Sequence, residues 1–215
     1  RWWEYYAAPS DATNMLYKER DMGGFAIAKK LKDKPGTKFN YSSGTTNIVS
    51  RIIRDVIGDQ NYYTFPYKEL FYKIGMFNTI LEVDAGGTSV GSSYCFATAR
   101  DWARFGLLYR NNGVWNGERI LPEGWVEFTT TPTAAKLPEA DGTYGAQFWL
   151  NKPNENGYKK YRLVPDDCFR CQGYEGQYIW VIPSKKLVVV RLALEKGDEL
   201  DANIFLSKLI KACSE

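Results

Sequence analysis

At 215 residues, the chain is long enough for one large domain or for two that pack against each other. A hydrophobic content of 44% and an aromatic content of 15% predict a packed core and exclude a disordered chain. The formal net charge of +3 is too small to indicate nucleic-acid binding, and no apolar run of 18 residues could span a membrane.

Histidine is absent from the sequence. This excludes Ser-His-Asp triads, Cys-His dyads and histidine-ligated zinc. Acid–base chemistry near neutral pH would then require another side chain with a shifted pKa, which favours a mechanism built on tyrosine and lysine. We predict no metal and no other cofactor.

The first elements are predicted to be helical. Ser10 can cap a short helix that runs to Leu16, and a second helical stretch is predicted over 24–31. A turn at 34–37 leads into a longer helix that Gly58 ends. Apolar residues repeat along this longer helix at helical spacing, namely Ile48, Val49, Ile52, Ile53, Val56 and Ile57.

Shorter elements follow. A helix is predicted over 66–73, where a proline suits the first turn, and 75–91 has the composition of a loop. A capping-box pattern begins a helix over 98–109. A turn or small hairpin is predicted at 111–117, and a short helix opens at Pro122.

Strands dominate after residue 143. They are predicted over 146–150, 161–164, 177–182 and 187–194, with a hairpin turn at 183–186 and a closing amphipathic helix at 200–212. Helices first and an antiparallel sheet afterwards are typical of an α+β fold. We divide the chain into a mostly helical region, 1–142, and a sheet region with a C-terminal helix, 143–215, which depend on each other.

Two short motifs carry the candidate chemistry. Tyr41-Ser42-Ser43 continues through residues 44–53 into the long helix, and Gly173-Tyr174-Glu175-Gly176-Gln177 precedes a predicted strand. Together they resemble the serine β-lactamase and penicillin-binding-protein superfamily, closest to its class C-like branch of esterases, amidases and peptidases. The resemblance runs over nearly the whole chain and implies a helical region inserted into a sheet domain.

This resemblance implies a nucleophile that the chain lacks. The family acylates a serine in a Ser-x-x-Lys motif some tens of residues before the tyrosine motif, and no serine here has a lysine three positions later. We therefore expect the chain to be the C-terminal part of a serine hydrolase. Its expected partners are a small ester, amide or β-lactam substrate and the N-terminal segment of the same protein.

The resemblance assigns Tyr41 the role of general base, which relays the serine proton to the leaving group. A phenol with a reference pKa near 10 is only about 0.1% ionised at pH 7, so the family places this tyrosine between lysines. The alternative is a core tyrosine at the start of a buried helix. Ser43 stands where the family has asparagine, whose amide reaches further than a hydroxyl. This departure weighs against β-lactam hydrolysis more than against ester or amide hydrolysis.

The second motif corresponds to Lys-Thr-Gly or His-x-Gly at the edge of the family's sheet. Tyr174 replaces the cation or imidazole, Gly176 would let substrate approach the strand, and Gln177 would offer its backbone N–H to the oxyanion. The alternative is a plain β-turn before an edge strand. Candidate substrate-binding aromatic residues are Trp3, Tyr5, Trp149 and Tyr178, whose rings would suit an apolar acyl group.

Two further alternatives remain open. Cys168 and Cys171 form a lone Cys-x-x-Cys, which indicates inert thiols or a local disulfide and leaves the compartment undetermined. The family resemblance is compatible with a periplasmic or secreted protein. A second functional hypothesis is a non-catalytic binding module that has the same fold. The departures from the family pattern at positions 43 and 174 favour it.

Overall fold

The computed structural model describes residues 2–135, 137, 143–195 and 200–213. The predicted α+β class is confirmed, with helices first and an antiparallel sheet with a closing helix afterwards. The chain divides into two compact units, Arg1–Tyr72 with Phe77–Thr98, and Lys73–Met76 with Ala99–Glu215. The boundary that we predicted between the helical region and the sheet region lies between residues 142 and 143. Residues 138–142 lie outside the described residues.

The first unit is mostly helical. Its elements are α1 (Asp11–Lys18), α2 (Met22–Ile27), α3 (Ser43–Ile57), α4 (Asp59–Tyr62), a π-helical turn (Tyr67–Phe71) and the antiparallel pair β1 (Ile80–Leu81) and β2 (Cys95–Phe96). The predicted cap of α1 is confirmed, because the Ser10 hydroxyl accepts the Thr13 N–H at 3.1 Å. Helix α2 begins two residues earlier than predicted, because Asp21 accepts the Gly24 N–H at 2.8 Å and caps it, and it ends at Ile27, four residues before the predicted end.

Helix α3 is confirmed, and Gly58 ends it with a φ of 77°. Its polar side faces the interior of the unit. The buried Asn47 side chain donates to the Ser92 hydroxyl at 2.8 Å and accepts the Gly91 N–H at 3.1 Å. The Ser50 hydroxyl donates to the Ser89 carbonyl at 2.6 Å. These bonds attach α3 to the loop that precedes β2.

The apolar side of α3 faces outward. We call Val49, Ile52, Ile53 and Val56 the apolar stripe; their exposed fractions are 46%, 53%, 43% and 77%. Full burial of one such side chain typically stabilises a protein by about 2 kcal/mol. The amphipathic pattern therefore predicted the helix correctly, but within the described residues it does not mark the buried side.

The second unit is built around a sheet. Its elements are α5 (Ala99–Arg110), β3 (Val114–Trp115), β4 (Glu118–Arg119), α6 (Trp125–Thr129), β5 (Thr143–Tyr144), β6 (Trp149–Leu150), β7 (Phe169–Gly173), β8 (Gln177–Ile182), β9 (Leu187–Arg191) and α7 (Ala202–Ala212). Strands β3 and β4 form the small hairpin predicted at 111–117. Strands β5 to β9 form one antiparallel sheet in chain order.

Helices cover both faces of this sheet. On one face, α5 packs against the sheet through a cluster that includes Tyr109, Phe169 and Ile179. On the other face, α7 packs through Leu206 against the fully buried Trp180. Helix α5 comes close because it carries a glycine at position 106, where an added Cβ would lie 2.5 Å from a Val188 methyl group.

The strand predictions were wrong in part. Residues 161–164 form a turn, not a strand, because the buried Asn151 amide donates to the carbonyls of Tyr161 and Val164 at 2.9 and 3.1 Å. Strand β7 was not predicted, since its sequence, with Arg170 and Gln172, shows no apolar alternation. The strand predicted over 146–150 is reduced to β6, whereas β8 has the predicted bounds.

Candidate active site

Tyr41 lies directly before the capped start of α3. The Ser42 hydroxyl accepts the Thr45 N–H at 3.1 Å, which satisfies one of the free donors of the first helical turn. The Tyr41 side chain is 41% exposed, so the alternative of a core tyrosine is not supported by its burial. The backbone of Tyr41 is therefore placed next to a capped helix start.

Ser43 is buried and takes part in a polar cluster. Its backbone N–H donates to the Glu4 carboxylate at 3.0 Å, and its hydroxyl donates to the same carboxylate. The Tyr6 hydroxyl lies 3.0 Å from the Ser43 hydroxyl and also donates to Glu4. Ser43, which stands where the family has asparagine, is therefore hydrogen-bonded to Glu4 and Tyr6.

Glu4 is the site residue that the sequence did not reveal. Its carboxylate also accepts the indole N–H of Trp2 at 2.5 Å. It therefore accepts four hydrogen bonds, from the Trp2 indole, the Tyr6 hydroxyl, and the Ser43 N–H and hydroxyl. A negative charge at the first turn of α3 is favoured by the helix dipole. Burial, followed by the hydrogen bond to Glu4, raises the pKa of the Tyr6 phenol. No spacing pattern links Glu4 to Ser43, which lies 39 residues later.

Two of the predicted substrate-binding aromatic residues form a pair in the first unit. The Trp3 and Tyr5 rings stack with centroids 5.9 Å apart and planes 5° from parallel. They are 56% and 46% exposed. This exposed apolar surface lies in the same unit as Tyr41 and Ser43, and its contact with a substrate stays a prediction.

The second motif forms the hairpin between β7 and β8. Gly173 pairs with Gln177, and the connecting Glu175 and Gly176 have φ values of 57° and 83°. Strand β8 pairs with β7 and with β9, so it is not an edge strand. The alternative of a plain β-turn before an edge strand therefore does not describe this hairpin. Strand β6 reaches only Phe169 and Arg170, and in the described residues the end of β7 beside the hairpin has a free edge.

Gly176 has a positive φ, which favours glycine, and it also has close neighbours that we did not predict. An added Cβ would lie 2.5 Å from Arg191 Nη1 and 2.7 Å from Glu195 Oε2. These two side chains form an ion pair, and Arg191 also donates to the Gly176 carbonyl at 3.2 Å. Within this unit, the space beside the glycine is occupied by protein side chains.

Gln177 braces the same hairpin through its side chain. The amide nitrogen donates to the Ala193 carbonyl, and the amide oxygen accepts the Ala193 N–H at 3.2 Å. The Glu195 N–H adds a bond to the Glu175 carbonyl at 3.1 Å. The hairpin is thus tied to the segment after β9, while the proposed role of the Gln177 backbone N–H stays a prediction.

The remaining candidates differ in exposure. Tyr174, at the hairpin, is 65% exposed. The Tyr178 ring stacks on Trp180 at 4.4 Å within the cluster under α7, and Trp149 packs edge-on against Tyr144 at 4.8 Å. Tyr178 and Trp149 therefore have packing partners in the sheet, and only Tyr174 is largely open to solvent.

The Cys-x-x-Cys thiols are free. Cys168 is buried and Cys171 packs beside the cluster of α5, and burial raises the pKa of each thiol to about 12. The sequence left open inert thiols or a local disulfide, and the structure agrees with inert thiols. In the described part of the chain, no group of three histidine, cysteine or acidic residues could hold a metal ion, and no helix has the length and apolar character to span a bilayer.

The thiols allow a direct test. With a pKa of about 12 instead of the reference value near 8.5, the thiolate fraction at pH 8 falls roughly 10³-fold. We expect iodoacetamide to alkylate the exposed Cys213 first, and Cys168 and Cys171 only after unfolding. Peptide mass mapping over time measures this order. Equal rates for all three thiols, or a Cys168–Cys171 disulfide under air, would contradict it.

The α+β fold, with helices first and an antiparallel sheet with a C-terminal helix afterwards, is that of a β-lactamase-like protein. A family model described as Beta-lactamase matches residues 3–205. The chain belongs to the beta-lactamase family.

Relatives give further detail. The chain is 28% identical over 175 residues to a 6-aminohexanoate-dimer hydrolase of Paenarthrobacter ureafaciens, a match that covers 76% of this chain and 41% of the relative. A solved structure of a Bacillus anthracis protein with the same name is similar with a TM-score of 0.75 and 24% identity, covering 98% of this chain and 56% of that one. A beta-lactamase of Mycobacterium bovis follows with a TM-score of 0.60 and 21% identity, covering 84% and 66%.

Proposed function

We propose that these residues belong to a serine hydrolase that cleaves an amide or ester through an acyl-enzyme. The observation that carries the proposal is Tyr41, held at the capped start of α3 in a chain of the beta-lactamase family. The chain spans about two fifths of the length of the Paenarthrobacter relative, so the activity proposed is that of a longer protein.

The proposed reaction has two steps. The serine of a Ser-x-x-Lys segment outside this chain attacks the carbonyl carbon, and Tyr41 accepts its proton. Collapse of the tetrahedral intermediate breaks the bond to the leaving group, which takes the proton from Tyr41. Water then attacks the acyl-enzyme and gives a proton to Tyr41; the bond to the serine oxygen breaks, this oxygen takes the proton back from Tyr41, and the acid is released.

The substrate class that we favour is an amide. The name of the Paenarthrobacter relative describes a hydrolase of the 6-aminohexanoate dimer, whose two units are joined by an amide bond. Ser43 supports the same choice over a β-lactam, because its hydroxyl bonds Glu4 and Tyr6 and replaces a longer amide side chain.

The test uses the reading frame that encodes residues 1–215 together with the codons before Arg1. Its product is assayed with the 6-aminohexanoate dimer, p-nitrophenyl butyrate and nitrocefin, and intact mass spectrometry follows acylation. We expect turnover of the amide and the ester with an acyl adduct on the upstream serine. Turnover without any serine adduct would remove the acyl-enzyme mechanism.

A non-catalytic binding module is the second candidate. It is favoured by the Ser43 hydroxyl, which Glu4 and Tyr6 already bind, and by Tyr174 in place of a cation. The two candidates separate in the same experiment. Calorimetric binding of the dimer or of benzylpenicillin without any turnover or adduct would favour the binding module.

Tyr174 provides a prediction on specificity. Without a cation at this position, we expect p-nitrophenyl butyrate to be preferred over the anionic p-nitrophenyl hemisuccinate. In the longer protein, Tyr174→Lys should raise kcat/KM for the hemisuccinate by roughly 10- to 150-fold, the range of a charge-assisted hydrogen bond of about 1.5–3 kcal/mol.

The butyrate ester serves as the matched control, since it has the same leaving group and no charge. Tyr174→Gln should leave the preference unchanged. Equal effects of Tyr174→Lys on both esters would mean that this residue does not face the charged group of the substrate.

A further inference from the structure

A short extended segment contacts the start of α3. Glu4 is half-buried, and its carboxylate accepts the Ser43 N–H at 3.0 Å and the indole N–H of Trp2 at 2.5 Å. The Trp2 ring lies against Gly44, where an added Cβ would be 2.6 Å from it. We call residues 2–6 the brace, because they contact the first two residues of α3.

The brace is itself attached to α1 and its cap. The Trp3 N–H donates to the Asp11 carboxylate at 2.9 Å. The Ser10 hydroxyl donates to the Tyr5 carbonyl at 2.5 Å. These bonds restrain the backbone on both sides of Glu4, so its carboxylate links the start of α3 to α1.

The position of Tyr41 depends on this link. Its side chain is 41% exposed, so the backbone around it does much to determine where the phenol lies. Two bonds fix the backbone that follows. The Ser42 hydroxyl accepts the Thr45 N–H within the helix, and Glu4 accepts the Ser43 N–H. Of these two, the Glu4 bond is the one that ties the helix start to another part of the unit.

The same carboxylate holds a second phenol near Tyr41. The Tyr6 hydroxyl donates to Glu4 and lies 3.0 Å from the Ser43 hydroxyl. Burial, then the hydrogen bond to Glu4, raises the pKa of the Tyr6 phenol, and the charge of Tyr41 adds to this rise. A carboxylate only accepts hydrogen bonds, so it keeps Tyr6 a neutral donor. This favours Tyr41 over Tyr6 as the proton acceptor.

We propose that Glu4 is a positioning residue of the hydrolase. Through its bonds to Ser43 and Tyr6, it fixes the start of α3 and so places the Tyr41 phenol for proton transfer. This inference rests on the proposed function. A misplacement of about 1 Å can lower a rate by about 10²-fold, so the loss of these bonds should change the acylation rate.

The kinetic test compares two carboxylates in the longer protein. Asp84 is the matched control, since it lies in the same unit and is 6% exposed. Its carboxylate accepts three backbone N–H groups at 2.9–3.0 Å, from Met22, Gly86 and Thr88. With p-nitrophenyl butyrate, Glu4→Ala should lower the stopped-flow acylation rate roughly 10- to 100-fold and change substrate affinity less than about threefold. Asp84→Ala should lower Tm at least as much and leave acylation per active site within about twofold.

Glu4→Gln separates hydrogen bonding from charge. Its amide oxygen can accept the two N–H groups, and its NH₂ group can donate to the Ser43 and Tyr6 hydroxyls. We therefore expect acylation within about fivefold of the unsubstituted protein. If Asp84→Ala does not fold, Asp84→Asn is the control for this variant. Equal losses in Glu4→Gln and Glu4→Ala would show that positioning by hydrogen bonds is not the role of Glu4.

Hydrogen exchange in the 215-residue chain tests the positioning without catalysis. By NMR, Glu4→Ala should speed exchange of the Ser43 amide about 10-fold or more, and Asp84→Ala should speed the Met22 and Thr88 amides instead. Unchanged exchange at Ser43, equal acylation losses in Glu4→Ala and Asp84→Ala, or a loss in substrate affinity alone would each overturn the proposal. The expected exchange pattern, together with a longer protein that hydrolyses no substrate, would remove the proposed function and leave the placement of the α3 start by Glu4 intact.

Discussion

No covalent labelling is expected when the 215-residue chain is incubated alone with a fluorescent penicillin or a fluorophosphonate. Acylation and phosphonylation both require an activated nucleophile, and no serine in the chain has a lysine three positions later. The Ser43 hydroxyl donates to Glu4, which fixes its orientation without placing an ammonium group beside it. In-gel fluorescence and intact mass measure the result.

The longer protein is the positive control for this experiment. It should label stoichiometrically, and replacement of the serine in its Ser-x-x-Lys motif by alanine should abolish labelling. A stoichiometric adduct on the 215-residue chain, mapped to any of its residues, would place the nucleophile within this chain and refute the assignment of the motif to a preceding segment.

Tyr41→Phe should lower the acylation rate of the longer protein by about 10²-fold or more, the usual effect of removing a general base. This corresponds to roughly 3 kcal/mol in the barrier. Thermal stability should change little, because the Tyr41 side chain is 41% exposed and the helix cap next to it belongs to Ser42. Stopped-flow acylation and a thermal melt measure the two quantities.

Tyr72→Phe is the matched control, since Tyr72 is 51% exposed and lies in the same unit. It should leave acylation unchanged. A large fall in Tm with normal turnover in Tyr41→Phe would identify Tyr41 as a structural residue and remove it from the mechanism.

Local signals in the sequence determined much of the fold. The Ser10 cap, the helical repeat over α3 with Gly58 at its end, and the strand β8 with the turn after it all appear as predicted. Each depends on neighbouring residues: a side chain that satisfies helix N–H groups, an apolar spacing, or a backbone with positive φ. The position of Tyr41 at a helix start followed from the same signals.

Tertiary structure alone decided the surroundings of the site. Ser43 bonds Glu4 across 39 residues, and the Arg191–Glu195 ion pair occupies the space beside Gly176. The side of α3 that is buried is the polar one, because Asn47 finds its partners in a distant loop. Periodicity predicts a helix from local spacing, but hydrogen-bond partners far along the chain determine which side packs and which polar groups meet.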